Sequence, residues 1–242
     1  MADITCTSQI TVRLVQKMGG DHMVVAAARV STSGEDALAC ASLPADEQAG
    51  LISYLMKHRH GTPFEHSAIT FFVHAPIFVW REWHRHRIGH SFNEESARYK
   101  TLDPVFYLPD PDRPMMKVDG WRPGRPKFLP CADDATHDAL CTNLRDSYEL
   151  AYTNYLKNLA LGIDPGLARD CLPVGIYSSC WVTVNPRSVM AFLSLRRHVP
   201  EAKYVSYPLY EIDVAAWCVE VMFADNWPIT YRAFVEHGRV AP

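Results

Sequence analysis

Arginine and histidine cluster between residues 83 and 99. The segment reads WHRHRIGHSFNEESARY and contains three Arg, three His and two Glu. Guanidinium groups form charge-assisted hydrogen bonds with phosphate, each stabilising the complex by about 1.5–3 kcal/mol. Several guanidiniums on one loop repel one another unless an anion lies between them. One interpretation is therefore an anion-binding site, and the other is a solvated helix end whose Glu and Arg side chains pair with each other.

A second basic cluster follows residue 184. Asn185 and Pro186 are a typical helix start, Arg187 follows at once, and Arg196 and Arg197 come near the predicted helix end. Arg187 and Arg196 are nine residues apart and so lie roughly 13 Å apart along a helix axis. That spacing suits the two ends of a long ligand, to which Arg169 adds a further cation. The alternative is a set of surface salt bridges, which contribute little individually.

Other site chemistries find little support. His58, His60 and His66 surround Pro63, which breaks a metal-ligand spacing, and we predict hydrogen-bonding histidines rather than a metal site. The chain has no GxGxxG, GxxxxGK[ST] or GxSxG motif, so an ordinary dinucleotide, P-loop or hydrolase site is not expected. The seven cysteines are scattered without CxxC pairs and are expected to be reduced, mostly buried thiols, with Cys131 inert.

Composition limits the class of protein. The chain has 242 residues, 48% of them hydrophobic, which allows a substantial core. Its formal net charge of -3 argues against a general nucleic-acid binder. No apolar run reaches about 18 residues and no signal peptide is evident, so we expect a soluble cytoplasmic protein with no membrane partner.

The elements that must position these side chains are mixed. Alternating apolar residues predict strands at residues 9–16, 66–74 and 176–184. Helical periodicity and caps predict helices at residues 21–30, 44–59, 76–83, 133–161 and 186–197, and after Pro208 and Pro228. Residues 87–100 are predicted to be a polar loop, and residues 109–130, rich in Pro and Gly, an irregular excursion or lid. The pattern predicts an α+β fold, and we expect residues 1–242 to form a single domain.

Six collinear segments resemble one known family. Arg85-His86-Arg87, then eight residues, then Ser96, resembles the signature motif of the flavin-dependent thymidylate synthases, and the match continues through residues 93–99. The other five segments agree in order and spacing, and they are residues 28–31, 60–66, 75–79, 184–188 and 195–196. The resemblance covers roughly residues 9 to 235.

The resemblance implies a reaction and its participants. It implies a mixed sheet packed with helices and a homotetramer whose active sites are shared between subunits. The reaction would be C5 methylation of a uracil nucleotide, with methylenetetrahydrofolate as carbon donor and FAD, reduced by NADPH, as hydride donor. A catalytic thiol is not needed in such a mechanism, which agrees with the absence of a Pro-Cys-His motif.

The same resemblance assigns site residues. Flavin contacts would be Ser31, Thr62, Glu65, Arg85, His86, Arg87, Asn93, Glu94, Asn185 and Arg187. Nucleotide contacts would be Glu82, Arg85, Glu94, Glu95, Ser96, Ala97, Arg98, Arg169 and Arg196. His60 would face the folate and flavin region. The catalytic residues would be His60, Arg196 and Ser96. Arg196 would polarise the uracil ring. Ser96 would bind phosphate and shape its loop rather than act as a nucleophile, since no base is evident nearby.

Four features depart from the family pattern. The spacing from Arg87 to Ser96 is one residue longer than usual, Glu82 replaces a Gln, Ala191 replaces an Asn, and Pro200 falls where a His is usual. A longer phosphate loop would make room for a ribose 2′-hydroxyl. We therefore expect relaxed sugar specificity, with UMP accepted as well as dUMP, as in relatives from nucleoside-antibiotic pathways. The alternatives are an inactive flavin- or nucleotide-binding homologue and a His-rich metal-dependent hydrolase.

Overall fold

The computed structural model describes residues 2–120, 122 and 127–242. These residues form two compact units. The first unit contains the described residues of segments 2–11, 74–84 and 93–180, and the second contains segments 12–73, 85–92 and 181–242. The chain passes between units inside the Arg-rich segment, after His84 and after Phe92.

Eight α-helices occur in the described part of the chain. They are α1 (Asp21–Ser33), α2 (Ala45–Lys57), α3 (Ile77–Trp83), α4 (Asp134–Ala160), α5 (Pro165–Ala168), α6 (Pro186–Arg196), α7 (Tyr210–Asn226) and α8 (Pro228–Glu236). Three 3-10 helices accompany them at Gly34–Ser42, Thr62–Glu65 and Arg169–Cys171.

The strands within the described residues belong to three sheets. The strands are β1 (Thr5–Thr7), β2 (Thr11–Met18), β3 (Ala68–Pro76), β4 (His90–Glu94), β5 (Val105–Tyr107), β6 (Met116–Lys117), β7 (Phe128–Leu129) and β8 (Tyr177–Val184). The largest sheet has the order β2-β3-β8-β4, β1 pairs with β5 in parallel, and β6 pairs with β7 antiparallel.

Aromatic side chains form the core of the first unit. Phe106 of β5 stacks on Tyr148 of α4 with ring centroids 4.8 Å apart, and Tyr152 meets the same ring edge-on. The hydroxyl of Tyr152 donates to the carbonyl of Leu102 at 2.7 Å, so its polar end is satisfied inside the core. These contacts fix the long helix α4 against the strand.

A buried ion cluster and a cap organise the second unit. Glu220 of α7 accepts hydrogen bonds from Arg197, Arg239 and the Tyr231 hydroxyl, at 2.8, 2.7 and 2.7 Å. Asp21 accepts from the backbone N–H of Thr230 at 2.9 Å, which satisfies a free donor in the first turn of α8. The cap joins segments that are 209 residues apart in the sequence.

Most predicted elements are confirmed, as is the α+β class. The polar loop predicted at residues 87–100 is wrong in part, because β4 occupies His90–Glu94; its alternation was hidden by polar side chains on both faces. The segment predicted as irregular contains β6 and β7, while its residues 121 and 123–126 lie outside the described residues. The short elements β1, β5 and α5 were missed, since each is too short to show a period.

Three further sequence predictions concern the cysteines, a membrane span and the number of domains. All seven cysteines are free thiols, but only Cys180 is buried, so the prediction of mostly buried thiols is wrong. Among the described residues no helix is both long and apolar enough to span a bilayer. The prediction of one domain over residues 1–242 stays a prediction.

Candidate functional site

A pocket of about 290 Å³ opens in the first unit. Four predicted nucleotide contacts line it, namely Glu94, Glu95, Ala97 and Arg169. Arg81, Asp170 and Ser178 also face it, together with apolar residues such as Ile77 and Leu172. The pocket thus combines charged groups that could orient a ligand with an apolar wall.

The two glutamates of this pocket are already hydrogen-bonded. Glu94 accepts from the Ser178 hydroxyl at 2.6 Å. Glu95 accepts from the backbone N–H of Ser179 at 2.6 Å and lies 3.1 Å from the ammonium of Lys100. The hydrogen bond to Glu95, with a further one to Asp103, raises the pKa of Lys100. These carboxylates are therefore held in place as fixed acceptors.

Helix α3 positions Arg81 at the pocket. The backbone N–H of Ile77 donates to the carbonyl of Ile176 at 2.9 Å, and the indole N–H of Trp80 is 3.2 Å from the carbonyls of Ala75 and Ser178. Ile77 and Arg81 are four residues apart and share a helix face. The neighbouring Glu82, predicted to contact the nucleotide, is half-buried and is not part of this pocket lining.

Residues 96–99 form a turn beside the pocket, closed by the backbone N–H of Tyr99, which donates to the carbonyl of Ser96 at 3.0 Å. The Ser96 hydroxyl accepts from the backbone N–H of Arg98 at 3.3 Å, which is a local contact. Ala97 is buried and lines the pocket, whereas Arg98 is exposed with its guanidinium 5.5 Å from the centroid of the Tyr99 ring. Asn93, in β4, is exposed.

The second unit has its own pocket, of about 240 Å³, built on the RHR segment. Arg85, His86 and Arg87 line it, with Ile88, His90, Ser188 and Ala191. Ala191 contributes a methyl group to this lining, one helical turn after the Ser188 hydroxyl. Two guanidiniums, two imidazoles and a hydroxyl give the pocket a donor-rich lining suited to an anionic group.

His86 is held as a neutral hydrogen-bond acceptor in this pocket. The Nε of Arg196 donates to the Nε2 of His86 at 2.9 Å, so we assign the proton to Nδ1. Burial, followed by the positive charge of Arg196 and the nearby His90, lowers the pKa of His86 to about 4. The Phe192 ring meets the imidazole edge-on with centroids 5.0 Å apart. The predicted flavin contact His86 and the predicted catalytic Arg196 are thus brought together.

The start of α6 depends on a close backbone approach at Gly89. Asn185 caps the helix, its side-chain oxygen accepting from the backbone N–H of Ser188 at 2.9 Å. Gly89 has a positive φ of 67°. A Cβ there would overlap the Ser188 hydroxyl. The glycine therefore permits both the left-handed turn and the contact with the helix cap.

Glu65 and Arg187, both predicted flavin contacts, meet each other. Their side chains form a hydrogen-bonded ion pair at 2.6 Å, and the Nε of Arg187 donates to the carbonyl of Pro242 at 2.8 Å. A Cβ on Gly61 would overlap the Arg187 guanidinium. The buried glycine lets this guanidinium lie against the backbone of the segment that precedes Glu65.

Three predicted site residues lie exposed in the second unit. The Ser31 hydroxyl donates to the carbonyl of Ala28 at 3.2 Å, a bond within its own helix. Thr62 is exposed at the start of a 3-10 helix. His60 is exposed and its ring is stacked beside Tyr54, with centroids 6.0 Å apart. None of the three lines the pocket of about 240 Å³ that contains Arg85, His86 and Arg87.

Sequence reasoning missed several residues at the pocket of the first unit. Arg81 could have been found, because it lies one helical turn after Ile77 and four residues before the Arg85 that opens the recognised motif. Ser178 and Ser179 gave no signal, since their roles depend on strand β8 lying beside the Glu94–Glu95 pair in space. Across residues 2–120, 122 and 127–242, no group of three His, Cys, Asp or Glu side chains has a metal-binding arrangement.

The chain resembles known proteins over nearly its whole length. Residues 13–228 match the family model described as thymidylate synthase complementing protein. A flavin-dependent thymidylate synthase from Streptomyces coelicolor is 47% identical over 239 residues, covering 99% of this chain and 96% of that protein. One from Tropheryma whipplei is 44% identical over 238 residues, covering 97% and 96%.

Solved structures agree with the sequence relatives. The UMP/dUMP methylase PolB from Streptomyces cacaoi, bound with 5-Br dUMP, is 44% identical with a TM-score of 0.91 and covers 99% of this chain and 100% of that one. The same protein bound with 5-Br UMP gives 42% identity and a TM-score of 0.89, covering 99% of each chain. The expected family and fold are confirmed.

Proposed function

Because the chain belongs to the thymidylate synthase complementing protein family, we propose that it methylates C5 of the uracil ring in a nucleoside monophosphate. The observation that carries the proposal is the pocket of the first unit, whose lining combines the guanidiniums of Arg81 and Arg169 with the hydrogen-bonded carboxylates of Glu94 and Glu95. A nucleotide offers a phosphate to the guanidiniums and ring and ribose donors to the carboxylates. The PolB structures hold 5-bromo analogues of UMP and dUMP, which supports a uracil nucleotide as ligand here.

We propose FAD as the cofactor of the second unit. The donor set there fits it: Arg85, Arg87 and Ser188 offer hydrogen bonds suited to a diphosphate, and Gly89 leaves room for a tight backbone turn. FAD reduced by NADPH would supply the hydride when bound there, methylenetetrahydrofolate would supply the carbon, and uracil C5 would lose its proton. The names of the relatives support a flavin.

The chain's own residues orient and polarise the reactants. Arg196 is proposed to stabilise negative charge that develops on the uracil ring, since C5 is a poor nucleophile without it. His86 fixes the direction of that guanidinium through the 2.9 Å hydrogen bond. Ser96 is assigned to loop geometry and phosphate binding, and His60 to the folate side of the site. We also propose a homotetramer in which subunits share residues at each site.

The sugar preference is proposed to be relaxed. The extra residue lengthens the segment from Arg87 to Ser96, which contains β4 and leads to the Ser96 turn expected to bind phosphate. PolB, described as a UMP/dUMP methylase, matches this chain over 99% of its length. We therefore expect methylation of both UMP and dUMP.

The test is conversion by purified chain with FAD, NADPH and methylenetetrahydrofolate. We expect a nucleotide heavier by one methylene from dUMP and from UMP, detected by mass spectrometry. A kcat/KM ratio for dUMP over UMP above about 10³, or roughly 4 kcal/mol, would exclude relaxed sugar specificity. A yellow protein that forms no product from either nucleotide would instead favour the inactive homologue.

A further inference from the structure

Two arginines at the first pocket have no hydrogen-bond or ion-pair partner among the residues that the structure describes. Arg81 reaches it from α3, and Arg169 reaches it from the 3-10 helix Arg169–Cys171. Both side chains are exposed, and neither has a hydrogen bond or ion pair with any other described residue. Two like charges beside one cavity repel unless an anion lies between them.

The carboxylates of the pocket do not neutralise these arginines. Glu94 is engaged by the Ser178 hydroxyl at 2.6 Å. Glu95 is engaged by the backbone of Ser179 and by the ammonium of Lys100. Asp170 is exposed, and within the described residues it makes no hydrogen bond or ion pair with either guanidinium. The guanidiniums thus keep their donors for a ligand.

Arg81 is also well placed to select a ligand because its helix is anchored. The backbone N–H groups of Ile77 and Phe78 donate to the carbonyls of Ile176 and Val174 at 2.9 and 3.0 Å. The buried Trp80 and Trp83 stack on the opposite side, with centroids 5.5 Å apart. Because the backbone is already anchored, only the side chain of Arg81 has to be ordered when a ligand binds.

We propose that Arg81 binds the phosphate of the nucleotide, as a second guanidinium beside Arg169. The proposal rests on the proposed function, since it assigns the phosphate of that same substrate. A phosphate dianion matches the charge of two guanidiniums and accepts their planar, paired hydrogen bonds. Arg81, rather than its neighbour Glu82, is then the α3 residue that contacts the ligand in this pocket.

The experiment compares two ligands that differ only in the phosphate. Binding of dUMP and of deoxyuridine to the FAD-loaded full chain is measured by calorimetry for wild type, Arg81→Gln, Arg81→Lys and the control Arg145→Gln. Arg145 is an exposed arginine of α4, in the same unit. We expect Arg81→Gln to weaken dUMP binding by about 10-fold or more. Deoxyuridine binding should change less than about 2-fold, Arg81→Lys should lose less than Arg81→Gln, and the control should behave as wild type.

Other outcomes overturn the inference. Unchanged dUMP affinity in Arg81→Gln, or an equal loss for dUMP and deoxyuridine, shows that Arg81 does not bind the phosphate. Inorganic phosphate is used as a competing probe of dUMP binding, and its inhibition should weaken in Arg81→Gln. If Arg81→Gln unfolds, as judged by circular dichroism, the comparison of Arg81→Lys with wild type decides.

The inference and the proposed function can fail separately. A wild-type chain that methylates dUMP while Arg81→Gln binds it unchanged contradicts only the role of Arg81. A wild-type chain that binds dUMP through Arg81 yet forms no methylated product contradicts only the proposed reaction.

Discussion

Replacement of His86 by Phe tests whether its hydrogen bond orients the guanidinium of Arg196, which we propose to be catalytic. The change removes the acceptor of the Arg196 Nε donor at 2.9 Å but keeps an aromatic ring against Phe192. A charged donor deprived of its acceptor in a half-buried site costs about 1–2 kcal/mol. If Arg196 stabilises charge only in the transition state, kcat and kcat/KM fall together by about 5- to 30-fold. The KM for the nucleotide stays nearly constant.

The assay is steady-state methylation at saturating FAD, with flavin affinity measured separately by fluorescence. His86→Gln is the matched variant, because its side-chain oxygen can still accept from Arg196. We expect it to retain activity within about 3-fold of wild type. The reasoning is refuted if His86→Phe keeps wild-type kcat, or if its whole defect disappears once more FAD is added.

Three further predictions concern the stability of the second unit. Glu220→Gln should lower the free energy of unfolding by about 3–5 kcal/mol, because it leaves Arg239 with too little compensating charge; thermal unfolding should show a drop of roughly 10 °C. Gly89→Ala should also lower the melting temperature and weaken FAD binding, because its Cβ overlaps Ser188 at a positive φ. Acidification should destabilise the fold, because the pKa of His86 is about 4 in the folded chain instead of 6.5. The contribution of neutral His86 to the free energy of unfolding is complete above pH 6.5 and is lost as the pH falls from 6.5 towards 4, which urea unfolding at several pH values would show.

Each of these three stability predictions has a matched control variant. Glu236→Gln removes an exposed carboxylate of α8 and should leave the melting temperature unchanged. Gly50→Ala places a Cβ in open space inside α2 and should raise stability by about 0.5–1 kcal/mol. In His86→Gln the stability difference between pH 7 and pH 5 should shrink. An equal pH dependence in that variant and wild type would mean that other groups, not His86, titrate there.

Residue periodicity and helix-capping residues predicted those helices and strands that are long or clearly capped. Asn185 caps α6 as its position before Pro186 indicated, and Asp133 caps α4 by accepting from the backbone N–H of Thr136 at 2.7 Å. Strand β4 escaped detection because its pairing comes from distant residues. Strand formation there depends on a partner rather than on the strand's own apolar pattern.

Residue types and order alone identified the family and the Arg-rich segments, because these are properties of neighbouring residues. Tertiary structure alone decided which of those side chains share a pocket. Glu65 and Arg187, 122 residues apart, become an ion pair, and Arg81 rather than Glu82 faces the cavity of the first unit. The physical reason is that a helix or strand sets the spacing of side chains along the chain, whereas their direction and partners follow from the packing of elements distant in sequence.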